Sequence, residues 1–154
     1  MQKKIFYWSP HINEQVATVK AVLNSAKSLS KYESNFKPHI INAFGEWNNF
    51  SSELNLLKIP LIKIIDLKIK LPINGFLKSR IFYIFFSIII FFPLIKILKK
   101  EKPEFVIIHL ITIPVLIASI FLKDTKFILR ISGFPKLNLF RRCLWKLLSK
   151  KIFK

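Results

Sequence analysis

Apolar residues recur along this chain in blocks whose period changes. An apolar aromatic run at residues 3–8, KKIFYW, stops at Ser9-Pro10 and predicts a short buried strand. From Asn13, a good N-cap, Val16, Val19, Val22, Leu23, Ala26 and Leu29 follow at helical spacing, with Lys20, Lys27 and Lys31 mostly on other faces. Residues 38–45, PHIINAFG, predict a second buried strand ended by Gly45. The stretch 58–71 alternates apolar residues with lysines, and Pro60 suits an edge strand. Gly75 precedes a long helix over 76–100. A proline-marked break then leads into the strand 105–110, a short helix over 112–122 with Pro114 in its first turn, a strand over 125–132, the loop GFPKLN and a last helix over 139–150. Strand alternating with helix predicts an α/β fold, a Rossmann-like parallel sheet flanked by helices, in one domain covering 1–154.

The segment IFYIFFSIIIFFPLIKILKK, residues 81–100, admits a second reading. Its uncharged stretch 81–95 would span about 22 Å as a helix, and 81–98 about 27 Å, against a hydrocarbon layer of roughly 30 Å. With the uncharged run 105–122 it would make a two-span membrane hairpin. Basic residues flank 81–98 on both sides, which leaves little asymmetry to orient a span, and Pro93 is expected to break the helix. His109, Thr112 and Pro114 would lie in the middle of the other span, whereas in the α/β reading they fall at a turn. That reading is preferred.

Charge sharpens the picture. Lys and Arg number 26 against 8 Asp and Glu, a net charge of +18 in a chain that is 52% hydrophobic. The excess needs an anionic counterpart: lipid, nucleic acid or a phosphate-bearing ligand. The basic residues punctuate apolar runs from Lys3 to Lys154 and form no separate arm, which favours an anionic membrane surface over nucleic acid, although part of the Ile, Phe, Lys and Asn excess is also what an AT-rich genome produces. Cys143 is the single cysteine, so no internal disulfide or cysteine-based zinc site is available and a reducing cytoplasm is the natural setting. The apolar stretch near the N-terminus is too short for an export signal.

In doubly wound sheets ligands sit beyond the carboxyl ends of the strands. Ser9, His11 and Asn13 follow the first strand, His109 and Thr112 the fourth, Ser132 and Gly133 the fifth, and one crevice would gather them. His11 and His109 are candidates for a general base on a hydroxyl, each against the plainer role of a histidine satisfied by nearby backbone. Ser132-Gly133 offers close approach to a phosphate or sugar, or merely turns the chain. With Asp66 and Asp124 the only aspartates there is no Asp-x-Asp metal site, and no P-loop or G-x-G-x-x-G is present; no metal is expected. The last helix lines Leu137, Phe140, Leu144, Leu147 and Leu148 along one side and carries Arg141, Arg142, Trp145, Lys146 and Lys150 elsewhere, a candidate membrane contact or a sheet-packed helix with solvated lysines.

The opening strand with SPHINEQVATVKAVLNSAKSL, the passage LKKEKPEFVIIH and the segment KFILRISGFPKLNLFRRCLWKLLSKKIFK together resemble the N-terminal half of a GT-B glycosyltransferase of the family 4 kind, which builds bacterial surface polysaccharides and glycolipids. Glu104 takes the place of the family's Asp and His109 that of its strand-end His. The chain has Ser-Pro-His-Ile-Asn where the family commonly has a glycine pair, and Ser132-Gly133 where a His-Gly is often found, so the usual catalytic histidine is not evident. The resemblance implies metal-independent sugar transfer to a lipid-linked or polysaccharide acceptor held by this half. It also implies a C-terminal domain that binds the nucleotide-sugar through a Glu-x7-Glu pattern. Glu46 and Glu53 do not supply that pattern, so no cofactor is expected in this chain, the partner is a missing C-terminal domain or second chain, and these residues alone are expected to be inactive. The implied location is the inner face of the cell membrane, peripherally bound. The rivals are the two-span membrane protein and a basic nucleic-acid-binding module.

Overall fold

A computed structural model describes residues 2–11, 17–65, 76–109 and 112–130, the positions 139, 142, 143 and 146, and, for 76–83, the backbone alone. Five strands, β1 (Lys3–Trp8), β2 (Phe36–Asn42), β3 (Leu61–Lys63), β4 (Phe105–Ile108) and β5 (Lys126–Leu129), form one sheet in the order β3-β2-β1-β4-β5, every pair parallel. The helices are α1 (Ala17–Tyr32), α2 (Ser51–Leu56), α3 (Phe76–Glu101) and α4 (Thr112–Ser119), with a 3-10 turn at Asn48–Phe50.

The two-residue period of β1 sorts the core. Phe6 and Trp8 face α3 and α4 together with Ile41, Val106 and Ile108, while Ile5 and Tyr7 face α1 and α2 together with Ile40. Continuous apolar runs suit strands buried on both faces. Helix α1 lays Val19, Val22, Leu23 and Ala26 against its face, four of the periodic positions named from the sequence, and the Tyr7 hydroxyl is tied to Ser25 at 2.8 Å. Asn13, predicted from the sequence as its N-terminal cap, lies outside the described residues.

Helix α3 occupies the predicted range and runs unbroken through Pro93, contrary to the expectation that Pro93 ends it. A proline there removes one hydrogen bond and costs about 3 kcal/mol. The buried row Phe86, Ile90, Leu94 and Leu98, spaced four apart on both sides of Pro93, seats the helix on the sheet and outweighs that cost. Lys102 closes the helix in the left-handed region at φ 45°, its N–H reaching Leu98 C=O at 3.0 Å, before Pro103.

The second proposed span, 105–122, is β4 followed by α4, with Pro114 in the first turn, so the hairpin is not formed. Among the described residues no helix is long and apolar enough to cross a membrane. Smaller differences concern boundaries and one missed element; α4, for example, ends at Ser119. Strand β2 starts at Phe36 and ends at Asn42, three residues before Gly45. Of the 58–71 alternation, the described part 58–65 holds the edge strand β3, directly after Pro60, and 66–71 lie outside the described residues. Residues 48–56, for which the pattern predicted no element, are helical.

Candidate functional site at the switch point of the sheet

The strand order reverses between β1 and β4, because the chain leaves β1 toward β2 and β3 and crosses back to β4. The carboxyl ends of those two strands are the place where such sheets bind ligands. Register places Trp8 beside Ile108, so the residues that follow them, Ser9 and His109, are neighbours; the His109 N–H donates to Trp8 C=O at 2.9 Å. Ser9 is fully buried and His11 nearly so. Two clusters predicted to share a crevice are thus brought together. Thr112, the first residue of α4, is half-buried after the same strand. Asn13, Ser132 and Gly133 lie outside the described residues.

His109 is half-buried, with its ring 6.4 Å from that of Tyr7 and 27° from parallel. Burial, and after it the positive charge of Arg130, push its pKa down to about 4. The imidazole is consequently neutral near pH 7. A base that weak abstracts protons poorly, so the ring is better fitted to hold and orient a hydroxyl than to deprotonate it. His11 is fixed differently. Its Nδ1 donates to Ser9 C=O at 3.1 Å, and its ring meets Trp47 edge-on at 4.7 Å.

Trp47 comes from a loop after β2 to which the apolar pattern assigns no role. Asn42, the last residue of β2, accepts the N–H groups of Gly45 and Trp47 on Oδ1 and donates through Nδ2 to Asn48 Oδ1 at 2.8 Å. Glu46 turns its buried carboxylate back under the loop, where the Ala43 and Phe44 N–H groups each donate to one oxygen at 2.9 Å. Gly45 sits at φ +99°, a conformation that favours glycine. The side chains of Asn42 and Glu46 satisfy the loop's own backbone, so the loop is a rigid wall that holds Trp47 against His11. The signal was present as turn chemistry: an Asn, then Gly-Glu three residues on, directly after an apolar run.

Arg130 is the other residue missed. It follows β5, its N–H donates to Ile108 C=O at 2.8 Å, and its exposed side chain lends positive charge to this end of the sheet. Three buried polar atoms here have no hydrogen-bond partner among the described residues: Ser9 Oγ, Trp47 Nε1 and His109 Nε2. A hydroxyl, an indole N–H and a neutral imidazole are suited to the hydroxyl groups of an uncharged ligand. Among the described residues no three His, Cys, Asp or Glu side chains gather as metal ligands. Of the proposed membrane contacts, Arg142 and Lys146 are exposed helical residues, while Arg141, Trp145 and Lys150 lie outside the described residues.

No family model matches the chain, and no curated protein does. Solved structures do. The calicheamicin glycosyltransferase CalG4 superposes with a TM-score of 0.57 at 13% identity, over 96% of this chain and 37% of that one. The UDP-GlcNAc 2-epimerase from Neisseria meningitidis, solved bound to UDP-GlcNAc, gives 0.52 at 13% identity over 97% and 37%. A Listeria monocytogenes protein described as a UDP-N-acetylglucosamine 2-epimerase gives 0.59 at 11% identity over 99% and 37%. The chain has the Rossmann-like fold of one GT-B half. It spans just over a third of the length of those structures.

Proposed function

We propose that these residues form the acceptor-side half of a glycosyltransferase, in which a lipid-linked or polysaccharide sugar lies beyond the carboxyl ends of β1 and β4. The observation that carries this reading is the group of three unpartnered polar atoms, Ser9 Oγ, Trp47 Nε1 and His109 Nε2, at the switch point of the sheet. Hydroxyl groups of a sugar would satisfy them, and the rings of Trp47 and His11 line the same place. Support also comes from the fold, since three of the solved structures that share it are described as a glycosyltransferase and two UDP-GlcNAc 2-epimerases.

On this reading the nucleotide-sugar is held by a second half outside these residues, and the 154-residue chain turns over no donor by itself. Saturation-transfer NMR on the purified chain tests both parts. Short glycans should receive magnetisation, UDP-sugars should not, and His109→Phe and Trp47→Phe should each weaken the glycan signal with the fold retained. A UDP-sugar that binds in place of the glycan, or that is consumed, would overturn the assignment of this half to the acceptor.

A further inference from the structure

Helix α3 is apolar on both sides, and among the described residues only one side is covered. The row Phe86, Ile90, Leu94 and Leu98 is buried on the sheet. Nearly opposite, Phe85, Ile88 and Phe92 point outward, and with Ile84 each is more than half exposed, Phe92 at 75%. The patch extends sideways through ring contacts, Phe92 to Phe91 at 5.3 Å and Phe91 to Phe121 at 6.3 Å, to an exposed Phe121 just past α4. A helix that is apolar all round is normally covered on all sides, and a contiguous exposed patch of this kind marks a contact surface.

The charges along the same helix identify what covers it. At 100° per residue, Lys96 and Lys99 continue the outer row formed by Phe85, Ile88 and Phe92, and Lys100 lies beside them; all three are exposed. Residues 76–100 hold five basic side chains and no acidic one. Glu101, which follows, turns inward to Lys4 at 2.8 Å. A row that is apolar for its first half and purely cationic for its second complements a surface that is apolar inside and anionic at its rim. The uncharged outer stretch 84–95 is about 18 Å long, too short to cross a bilayer but long enough to lie in its interface.

We propose that the outer face of α3, with Phe121, docks on an anionic lipid bilayer, Phe85, Ile88 and Phe92 entering the acyl boundary while Lys96, Lys99 and Lys100 meet the headgroups. Such docking is independent of the acceptor role, and it puts a membrane contact on α3.

Flotation of the full chain with vesicles of phosphatidylcholine alone, and of phosphatidylcholine mixed with phosphatidylglycerol, decides it. The wild type should partition to the mixed vesicles. Because both side chains are exposed, F85E/F92E should fold as the wild type does by circular dichroism and unfolding midpoint, and should lose about tenfold or more in partitioning. K96Q/K99Q/K100Q should lose its preference for anionic vesicles by roughly fivefold per lysine. Unchanged partitioning of F85E/F92E would overturn the proposal. So would a wild type that sediments as an oligomer and becomes monomeric in F85E/F92E with vesicle binding intact, which would assign the face to a second copy of the chain.

Discussion

Glu46 lies under the end of β2 with both carboxylate oxygens engaged by backbone N–H groups. Burial outweighs those bonds and pushes its pKa up from the ordinary 4.5 to about 7. A raised carboxyl contributes stability that is full below pH 4.5 and is lost as pH rises through 7. The Glu46→Gln variant keeps the shape but turns an amide N–H2 toward a backbone donor, which should cost about 1–3 kcal/mol. The wild type's advantage over it should be largest near pH 5 and smaller at pH 8, measured as urea midpoints; an advantage that grows with pH would contradict the burial argument. His109 behaves oppositely. Its pKa lies below the ordinary 6.5, so its contribution is full above that value and is lost as pH falls toward 4. Burial is the larger cause and Arg130 the smaller, so Arg130→Ala should raise the His109 titration in an NMR pH series while leaving it below 6.5. Gly45→Ala tests the same loop by shape. Its Cβ would come 2.9 Å from Asn48 Nδ2, at a φ that L residues rarely adopt, so a loss of roughly 1–3 kcal/mol is expected in the same urea assay.

Among the elements, α3 separates packing from surface. Ile90→Ala and Leu94→Ala should each cost about 2–5 kcal/mol in a denaturant titration, because both side chains are fully buried on the sheet. Phe92→Ala, on the outer face, should change stability by no more than about 0.5 kcal/mol in the absence of vesicles. The sequence showed this helix by its length and apolarity, but 15 uncharged residues in a row carry no periodicity that says which face turns inward. Only the sheet decides that. The expected break at Pro93 followed from local propensity alone, and tertiary packing overrode it. Helix α1, by contrast, was readable residue by residue, since lysines interrupt its apolar positions at the helical period. Residues 48–56 were missed for the reverse reason: their short helices bury a single side chain, Leu54, too few to make a pattern. At the site, the proximity of Ser9 and His11 to His109 followed from strand ends and topology. The wall built by Asn42, Glu46 and Trp47 did not, because side chains bonding to backbone within six residues leave no periodic trace.

At the scale of the molecule, the strongest electrostatic influence is a net charge of +18 on 154 residues. The ion pairs among the described residues fall into three groups: Lys4 with Glu101, Lys27 with Glu53, and Glu104 shared by Lys3 and Lys126. Each is partly exposed, and solvent screening leaves pairs of that kind adding little to stability. They fix local geometry, as where Lys4 ties β1 to the end of α3, but do not offset the mutual repulsion of the remaining cations, which opposes the compact state. Salt acts on both contributions through a screening length that falls from about 30 Å at 0.01 M to about 10 Å at 0.1 M. Repulsion summed over many distant cations is screened first, and close pairs of about 3 Å are screened least. Raising sodium chloride from low to moderate concentration should therefore raise the thermal midpoint of the chain. It should also weaken the anionic vesicle binding proposed for α3, since the same lysines then meet screened headgroups. Stability that rises with salt while vesicle binding falls would locate the excess charge as one cause of both. A midpoint that drops with salt would mean that the ion pairs, not the repulsion, govern the fold.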